Sequence, residues 1–290
     1  MSLNNQYLAA IAPSSLLWTP HLLTNRALWL DATYEPSLTK VGSAIYSVGE
    51  EVGAWADRTA NGVSVTQSAS FDKPLYEATN SSYQINGKPA VVWNAASQSL
   101  ASSAFVLGDA TNNKTLPMQV YVVLQLDLPT AWTTFHVWDG LNNSNERWFA
   151  RFSNGGNFMQ VMTRNITETG DTVGAENNGS TVSVGSSPVM LEVVNNRHGN
   201  ASSILLDGTE IIGAAFGDEG FDGLILGNWI NRNSTPLSLG GRMGEFLITS
   251  GTQTQADREK IEGYLAHKWG LTANLPAAHP YKTTAPFYES

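Results

Sequence analysis

Along most of this chain apolar and polar residues alternate with a period of two. In ALWLDA (residues 27–32) Leu28 and Leu30 fall on one face and Trp29 and Asp31 on the other, as in a strand. MQVYVVLQL (residues 118–126) is dense in Val and Leu, which predicts a strand central to a sheet. VGAWADRTANG (residues 52–62) reads as a strand that ends in a turn at Asn61-Gly62. Asn86-Gly87 lies between Tyr83/Ile85 and the run from Ala90 to Trp93, and Asp207-Gly208 lies between Leu206 and Ile211. Both pairs predict hairpin turns, because the two central positions of such a turn need φ above zero. RWFARF, NFMQVM, VMLEVV, LILGNW and RMGEFLI continue the series of short strands between Gly, Asn, Asp and Ser turns. The pattern predicts a two-sheet antiparallel sandwich.

One segment breaks the period. Ile261, Tyr264, Leu265 and Trp269 recur at three- and four-residue spacing, which predicts an amphipathic α-helix. Thr254 followed three residues later by Asp257 supplies a start resembling a capping box, and Gly270 with Leu271 beyond it supplies a Schellman-type stop. Lys268 is expected to complement the helix C-terminus. A single helix after so many strands has to bury its apolar stripe against a sheet. No repeat or linker-like tract divides the chain, so residues 27–290 are expected to form one domain. Residues 1–26, rich in Leu, Ala, Pro and Ser, form an N-terminal arm that lies on a neighbour or on its own domain.

The order of several motifs adds a resemblance. LWLDA, then Trp55-x-Asp57 with Asn61-Gly62, Gln67 and Lys73-Pro74-x-Tyr76, are followed by INGKPAV (residues 85–91), GEFLI (residues 244–248) and IEGYLAHKWGL with a later HPY (residues 261–281). From residue 27 onward the chain resembles the LamG-like, concanavalin A-like jelly-roll proteins of bacteriophage virions and environmental bacteria. The resemblance implies an all-β jelly-roll sandwich with the C-terminal helix packed on it. It implies no single activity, since such sandwiches serve as lectins, hydrolases and structural modules.

Composition narrows the classes. Of the 290 residues only 14% are charged and the formal net charge is −9, which leaves no basic stripe for nucleic acid. No apolar run approaches a membrane span, and no basic region precedes the short apolar patch near the N-terminus, so neither membrane insertion nor an export signal is expected. Cysteine is absent, which removes disulfides, thiol nucleophiles and zinc–thiolate sites. Asn-x-Ser/Thr sequons, as at Asn80, Asn165 and Asn233, read as Asn-rich loops.

Catalytic chemistry finds little footing. Retaining glycosidases need two carboxylates about 5 Å apart, and no Glu-x-Asp-x-Glu run offers them on one strand face. Asp218-Glu219-Gly220-Phe221-Asp222-Gly223 reads as a solvated turn, because it fails the spacing of a Ca²⁺ loop; no cofactor or metal is expected. The five histidines are scattered, and His267 and His279 read as structural hydrogen-bonding residues. Binding has better candidates. Lectins stack an aromatic ring on a sugar and fix its hydroxyls with Asn, Asp and Arg. Trp138, Asn142, Arg147 and Trp148 in one Asn-rich stretch, and Trp229, Asn231 and Arg232 in another, are the candidate glycan contacts. Trp29, Trp55, Trp93 and Trp269 are assigned to packing.

The resemblance, together with the missing export signal and acid run, leads to the expectation of a non-enzymatic phage virion protein, in the capsid decoration or the tail and exposed on the particle. Its expected partners are other virion proteins and a second copy of itself through the arm, with a surface glycan as a further ligand. The alternatives are a carbohydrate-binding module for cell-surface recognition and a glycan hydrolase with dispersed carboxylates.

Overall fold

The computed structural model describes residues 17–41, 49–59, 61–95, 97–107, 117–127, 135–140, 146–153, 158–165, 172–176, 184–196, 202–214, 221–228 and 239–287. The strands in chain order are β1 (Arg26–Asp31), β2 (Leu38–Lys40), β3 (Glu50–Ala56), β4 (Ser64–Thr66), β5 (Leu75–Glu77) and β6 (Ala90–Trp93). They continue with β7 (Leu100–Leu107), β8 (Met118–Leu126), β9 (Phe135–Gly140), β10 (Glu146–Ser153), β11 (Phe158–Asn165) and β12 (Thr172–Glu176). The last are β13 (Val189–Asn195), β14 (Ser202–Leu206), β15 (Thr209–Ala214), β16 (Phe221–Leu226) and β17 (Gly241–Ser250), before the helix α1 (Gln255–Trp269).

All described pairings are antiparallel. The first sheet runs β15-β14-β13-β8-β17, and the far edge of β17 pairs with both β1 and β6, with β5 beyond β6. The second runs β2-β3-β4-β7-β16-β9-β10-β11-β12. β3 joins the two, since its first residues also pair with β5.

Alternation decides what each sheet buries. On β8, Met118, Val120, Val122, Leu124 and Leu126 enter the core between the sheets, while Tyr121 and Val123 face the helix layer. A strand with both faces covered has to be largely apolar, which explains its density in Val and Leu. On β1, Leu28 and Leu30 face the inter-sheet core and Trp29 packs with Ile261, Leu265, Ala266 and Trp269 of α1. The helix therefore lies on the outer face of the first sheet. The outer face of the second sheet has no helix on it among the described residues.

The helix ends follow their sequence signals. Thr254 Oγ1 accepts the Asp257 amide at 3.1 Å, Gly270 takes a left-handed conformation (φ 69°, ψ 33°), and the Leu271 amide reaches back to the Ala266 carbonyl at 2.8 Å. The Asn86-Gly87 turn has the expected positive φ at both residues, but only Ile85 and Lys88 bridge across it, so Tyr83 and Ile85 form no strand. Its tip is engaged elsewhere, for Asn86 Nδ2 donates to the Trp269 carbonyl at 2.8 Å and satisfies an orphan acceptor of the helix end. The Asp207-Gly208 turn closes the β14–β15 hairpin, with φ of 50° and 77°. Asp222 and Gly223, expected in a solvated turn, lie instead in β16, where the register shifts between Asp222 and Leu224 and Gly223 has φ 112°. A bulge admits glycine into a strand, so Gly223 did not mark a loop, while Asp218, Glu219 and Gly220 lie outside the described residues.

Residues 17–25 of the expected arm lie on the chain's own domain. Leu17 bridges to Phe287, the Trp18 amide donates to the Pro286 carbonyl at 2.9 Å, and the Trp18 ring meets Tyr264 edge-on. Residues 1–16 are outside the described residues, and Arg26 already belongs to β1.

Trp269 rests flat on Gly244 of β17. A Cβ built at Gly244 would come within 2.5 Å of the Trp269 ring. Gly244→Ala is therefore expected to lower unfolding stability by about 1–3 kcal/mol through overpacking, read as a reduced urea midpoint; an unchanged midpoint would show the ring to be free to move.

Candidate functional site

Two clusters of ionisable side chains are buried where α1 meets the first sheet. In one, Glu245 accepts hydrogen bonds from Trp29 Nε1 (2.7 Å), Trp269 Nε1 (2.8 Å), Lys268 Nζ (2.7 Å) and Tyr264 Oη (3.1 Å). Lys268 also lies 2.7 Å from Asp31, which is paired with Arg58 as well, and the Arg58 guanidinium stacks over Trp29 and Tyr34. Burial pushes the Glu245 carboxyl up, against the pull of Lys268. Burial acts on Asp31 in the same sense, but Lys268 and Arg58 overcome it and hold that carboxyl below its ordinary range. Lys268 thus points at two buried carboxylates rather than at the helix terminus it was expected to complement. In the interior an ion pair outweighs the weaker field of a helix end.

The second cluster joins Glu192 of β13, Arg258 and Glu262 of α1, and His279. Arg258 Nε lies 3.8 Å from Glu192 and 3.4 Å from Glu262, and His279 Nε2 is 2.8 Å from Glu262. Burial and the neighbouring Glu262 push the Glu192 carboxyl well up. At Glu262 burial also raises, but the hydrogen bond with His279 and the charge of Arg258 bring it below its ordinary value. Here the fold does bring carboxylates together, but Glu192 and Glu262 are fully buried beneath the helix and closed to any substrate. His267 likewise serves structure, with Nε2 2.8 Å from the Tyr281 carbonyl. Among the described residues no group of three or more His, Asp and Glu side chains is placed to hold a metal ion, and no helix is long and apolar enough to cross a membrane.

An open groove that a ligand could enter lies on the outer face of the second sheet. Leu38, Trp55 and Val65 stand in register on β2, β3 and β4 and point into the inter-sheet core. One residue along, Thr39, Ala54, Thr66 and Ala101 stand in register across β2, β3, β4 and β7 on the outer face. They line an open groove of about 710 Å³ together with Val41, Gly53, Ser64, Gln67, Ser68, Lys73, Ser102, Ser103 and Ala104.

One wall is the segment from Gln67 to Lys73, and its fixing is polar. The Gln67 amide donates to the Gly53 carbonyl at 2.9 Å, and Gln67 Nε2 to Ser99 Oγ at 3.1 Å. Buried Gln98 accepts the amides of Asn94 and Ala95 and donates to the Lys73 carbonyl at 2.8 Å, which ties this wall to the end of β6. The Lys73 ammonium, 8% exposed, is 3.5 Å from Glu51. Between Ser68 and Lys73, the 3₁₀ turn Ser70–Asp72 carries Phe71, which is 73% exposed and is not among the residues that line the groove. Hydroxyls, one amide and an exposed ring on a rigid sheet form a surface that can bind a polyhydroxylated ligand.

Of the glycan contacts expected from the sequence, only Trp138 has a described side chain, and it does not line this surface. Trp138 is a correction: it lies near the end of β9, not in a loop, and is fully buried with its ring edge-on to Phe246. In the register of β9 with β10, Trp138 opposes core residue Ala150 and so points inward. Arg147 and Trp148 belong to β10, and their side chains lie outside the described residues, as do Asn142, Trp229, Asn231 and Arg232 altogether. The groove residues were missed because Ser, Thr, Ala and Gly on a strand face look like any solvated face. The one available signal was Gln67 with Lys73-Pro74-x-Tyr76, which marks the wall. Trp29, Trp55, Trp93 and Trp269 are buried, as expected of packing residues.

No protein-family model matches the chain, and no curated protein matches it. Among solved structures the chain is similar to the binding domain of botulinum neurotoxin serotype G, at 10% identity and a TM-score of 0.55, over 82% of this chain and 50% of that one. Weaker likenesses are to the serotype D binding domain (10% identity, TM-score 0.49, 82% of this chain and 51% of that one) and to domain 4 of AbnA, a GH43 extracellular arabinanase from Geobacillus stearothermophilus (13%, 0.48, 80% and 95%). The chain spans about half the length of the neurotoxin structures it matches. At such identities the likeness is one of fold, and the fold is the concanavalin A-like jelly roll.

The buried carboxyl of Glu192 makes stability depend on pH. Its folded-state pKa lies above the ordinary glutamate value of 4.5, so the folded chain keeps a proton that the unfolded chain releases, and stability falls as pH rises from there towards the folded value. Asp207, raised by burial to about 6, acts in the same sense from 3.8 upward. Glu192→Gln should flatten this slope and exceed wild-type stability increasingly towards alkaline pH, by up to about 1.4 kcal/mol per pH unit, in urea denaturation across a pH series. Parallel profiles would mean that Glu192 ionises freely in the fold.

Proposed function

We propose that this chain is a non-enzymatic carbohydrate-binding module whose ligand lies in the groove across β2, β3, β4 and β7. The observation that carries the reading is the in-register row Thr39, Ala54, Thr66 and Ala101 on the outer face of the second sheet, flanked by Gln67, Ser68 and Lys73, with exposed Phe71 in the turn between the last two. Small floor residues let a ring approach the sheet closely, hydroxyls and the Gln67 amide meet sugar hydroxyls, and Phe71 offers an aromatic face. The buried carboxylates that the fold brings together lie under α1 on the opposite side, and the exposed Glu35 and Glu50 are both held by Lys40, at 2.5 and 2.6 Å, which favours binding over hydrolysis. The likeness to a neurotoxin binding domain, a fold used there for recognition, points the same way.

A second reading, a structural part of a phage particle, draws on the sequence motifs and on one observation. Leu17 and Phe287 bridge to each other and are 62% and 38% exposed, an apolar spot suited to attachment. The two readings are compatible. Mass spectrometry of purified particles of the encoding phage detects the chain under this reading, and its absence from them removes it.

Binding is tested by affinity electrophoresis through gels that contain polysaccharide. Ala101→Trp fills the groove from its floor without entering the core and should weaken retention about tenfold or more, equivalent to about 1.4 kcal/mol, with the melting temperature unchanged. Phe71→Ala should weaken it less. Wild-type retention by Ala101→Trp would exclude the groove as the site.

A further inference from the structure

We infer that the ligand of the groove is an uncharged stretch of polysaccharide chain, not an acidic sugar and not a single terminal residue. The inference rests on the carbohydrate-binding reading and adds the chemical class. Its first ground is the charge of the lining. Among the described lining residues only Lys73 is ionised, and its ammonium is buried and faces the Glu51 carboxylate at 3.5 Å. A sugar carboxylate or sulfate would have to compete with Glu51 for that ammonium and would bring its own charge close to the Glu51 carboxylate. Separating a buried pair leaves a charge without a partner, which costs more than an exposed contact returns. The whole chain, at −9, adds repulsion towards a polyanion.

The second ground is shape. The groove crosses four adjacent strands, and at about 4.8 Å between neighbours these span roughly 15 Å, the length of several linked sugar rings. It is open along the sheet and not closed around one ring. Its floor is low because Gly53, Ala54, Ala101 and Ala104 carry little or no side chain. Val41 lies over Gly53, where a Cβ would come within 2.6 Å of Val41 Cγ2, and is itself 42% exposed. An apolar patch at Val41 and hydroxyls at Thr39, Ser64, Thr66 and Ser103 match the alternating C–H faces and hydroxyl edges of a neutral chain.

The test compares neutral polymers (a linear β-glucan and a galactomannan) with acidic ones (alginate and hyaluronan) in affinity electrophoresis at low and high salt, for wild type and Ala101→Trp. Expected are retention by at least one neutral polymer that changes less than about twofold with salt, its loss in Ala101→Trp, no retention by alginate or hyaluronan, and no competition by free monosaccharides. Salt-sensitive retention by an acidic polymer that Ala101→Trp abolishes would overturn the uncharged-ligand inference while leaving the groove as the binding site. Competition by a monosaccharide as effective as the polymer would overturn the extended-chain part. Retention that Ala101→Trp leaves intact, or retention by none of the polymers, would remove the underlying reading and the inference with it.

Discussion

The fold turns on the carboxylate of Glu245. It is fully buried, and it is tolerable there only because four donors converge on it, two indole N–H groups, an ammonium and a phenol, from β1 and from three positions along α1. One donor comes from β1 and three from α1, so the carboxylate on β17 is satisfied only when β1, β17 and the helix are all in place. Asp31 and Arg58 extend the set, and the loop after β3 joins it through Asp57, which accepts the Trp29 amide at 2.8 Å. Such a network specifies one docking geometry for the helix more sharply than apolar contact alone, since a shifted helix would leave a charge unpaired in the interior.

That constraint divides the molecule by function. The helix and the segment from Leu17 to Asn25 cover the first sheet, and the ionisable groups gathered there serve packing. The second sheet keeps a face that no described helix covers, and on it the strands place small and hydroxylated residues in rows. The groove itself has a single ionisable side chain, Lys73, among its described lining residues. The proposed binding surface is built from sheet register and small side chains on the second sheet.

Much of this was readable in the sequence wherever a signal was local. β8 announced itself by its Val/Leu run, the helix by its spacing and both its ends, and the two type I′ turns by Asn-Gly and Asp-Gly. The alternation in β1 assigned Leu28 and Leu30 to one core and Trp29 to the other. What failed was nonlocal. Lys268 was read by its distance from the helix end, whereas two carboxylates distant in sequence decide its position. Trp138 was read by its Asp and Asn neighbours, whereas the register of β9 against β10 turns it inward. The groove was invisible for the same reason: Thr39, Ala54, Thr66 and Ala101 are unremarkable one by one and meaningful only in a row across four strands.

The most direct test of this division is amide chemical-shift mapping by NMR during titration of the wild-type protein with a soluble neutral polysaccharide. The account predicts that the shifts concentrate at Thr39, Gly53, Ala54, Thr66, Gln67 and Ala101, while the amides of α1 and of Glu245 stay in place. Shifts centred on α1, or on segments remote from β2, β3, β4 and β7, would contradict it.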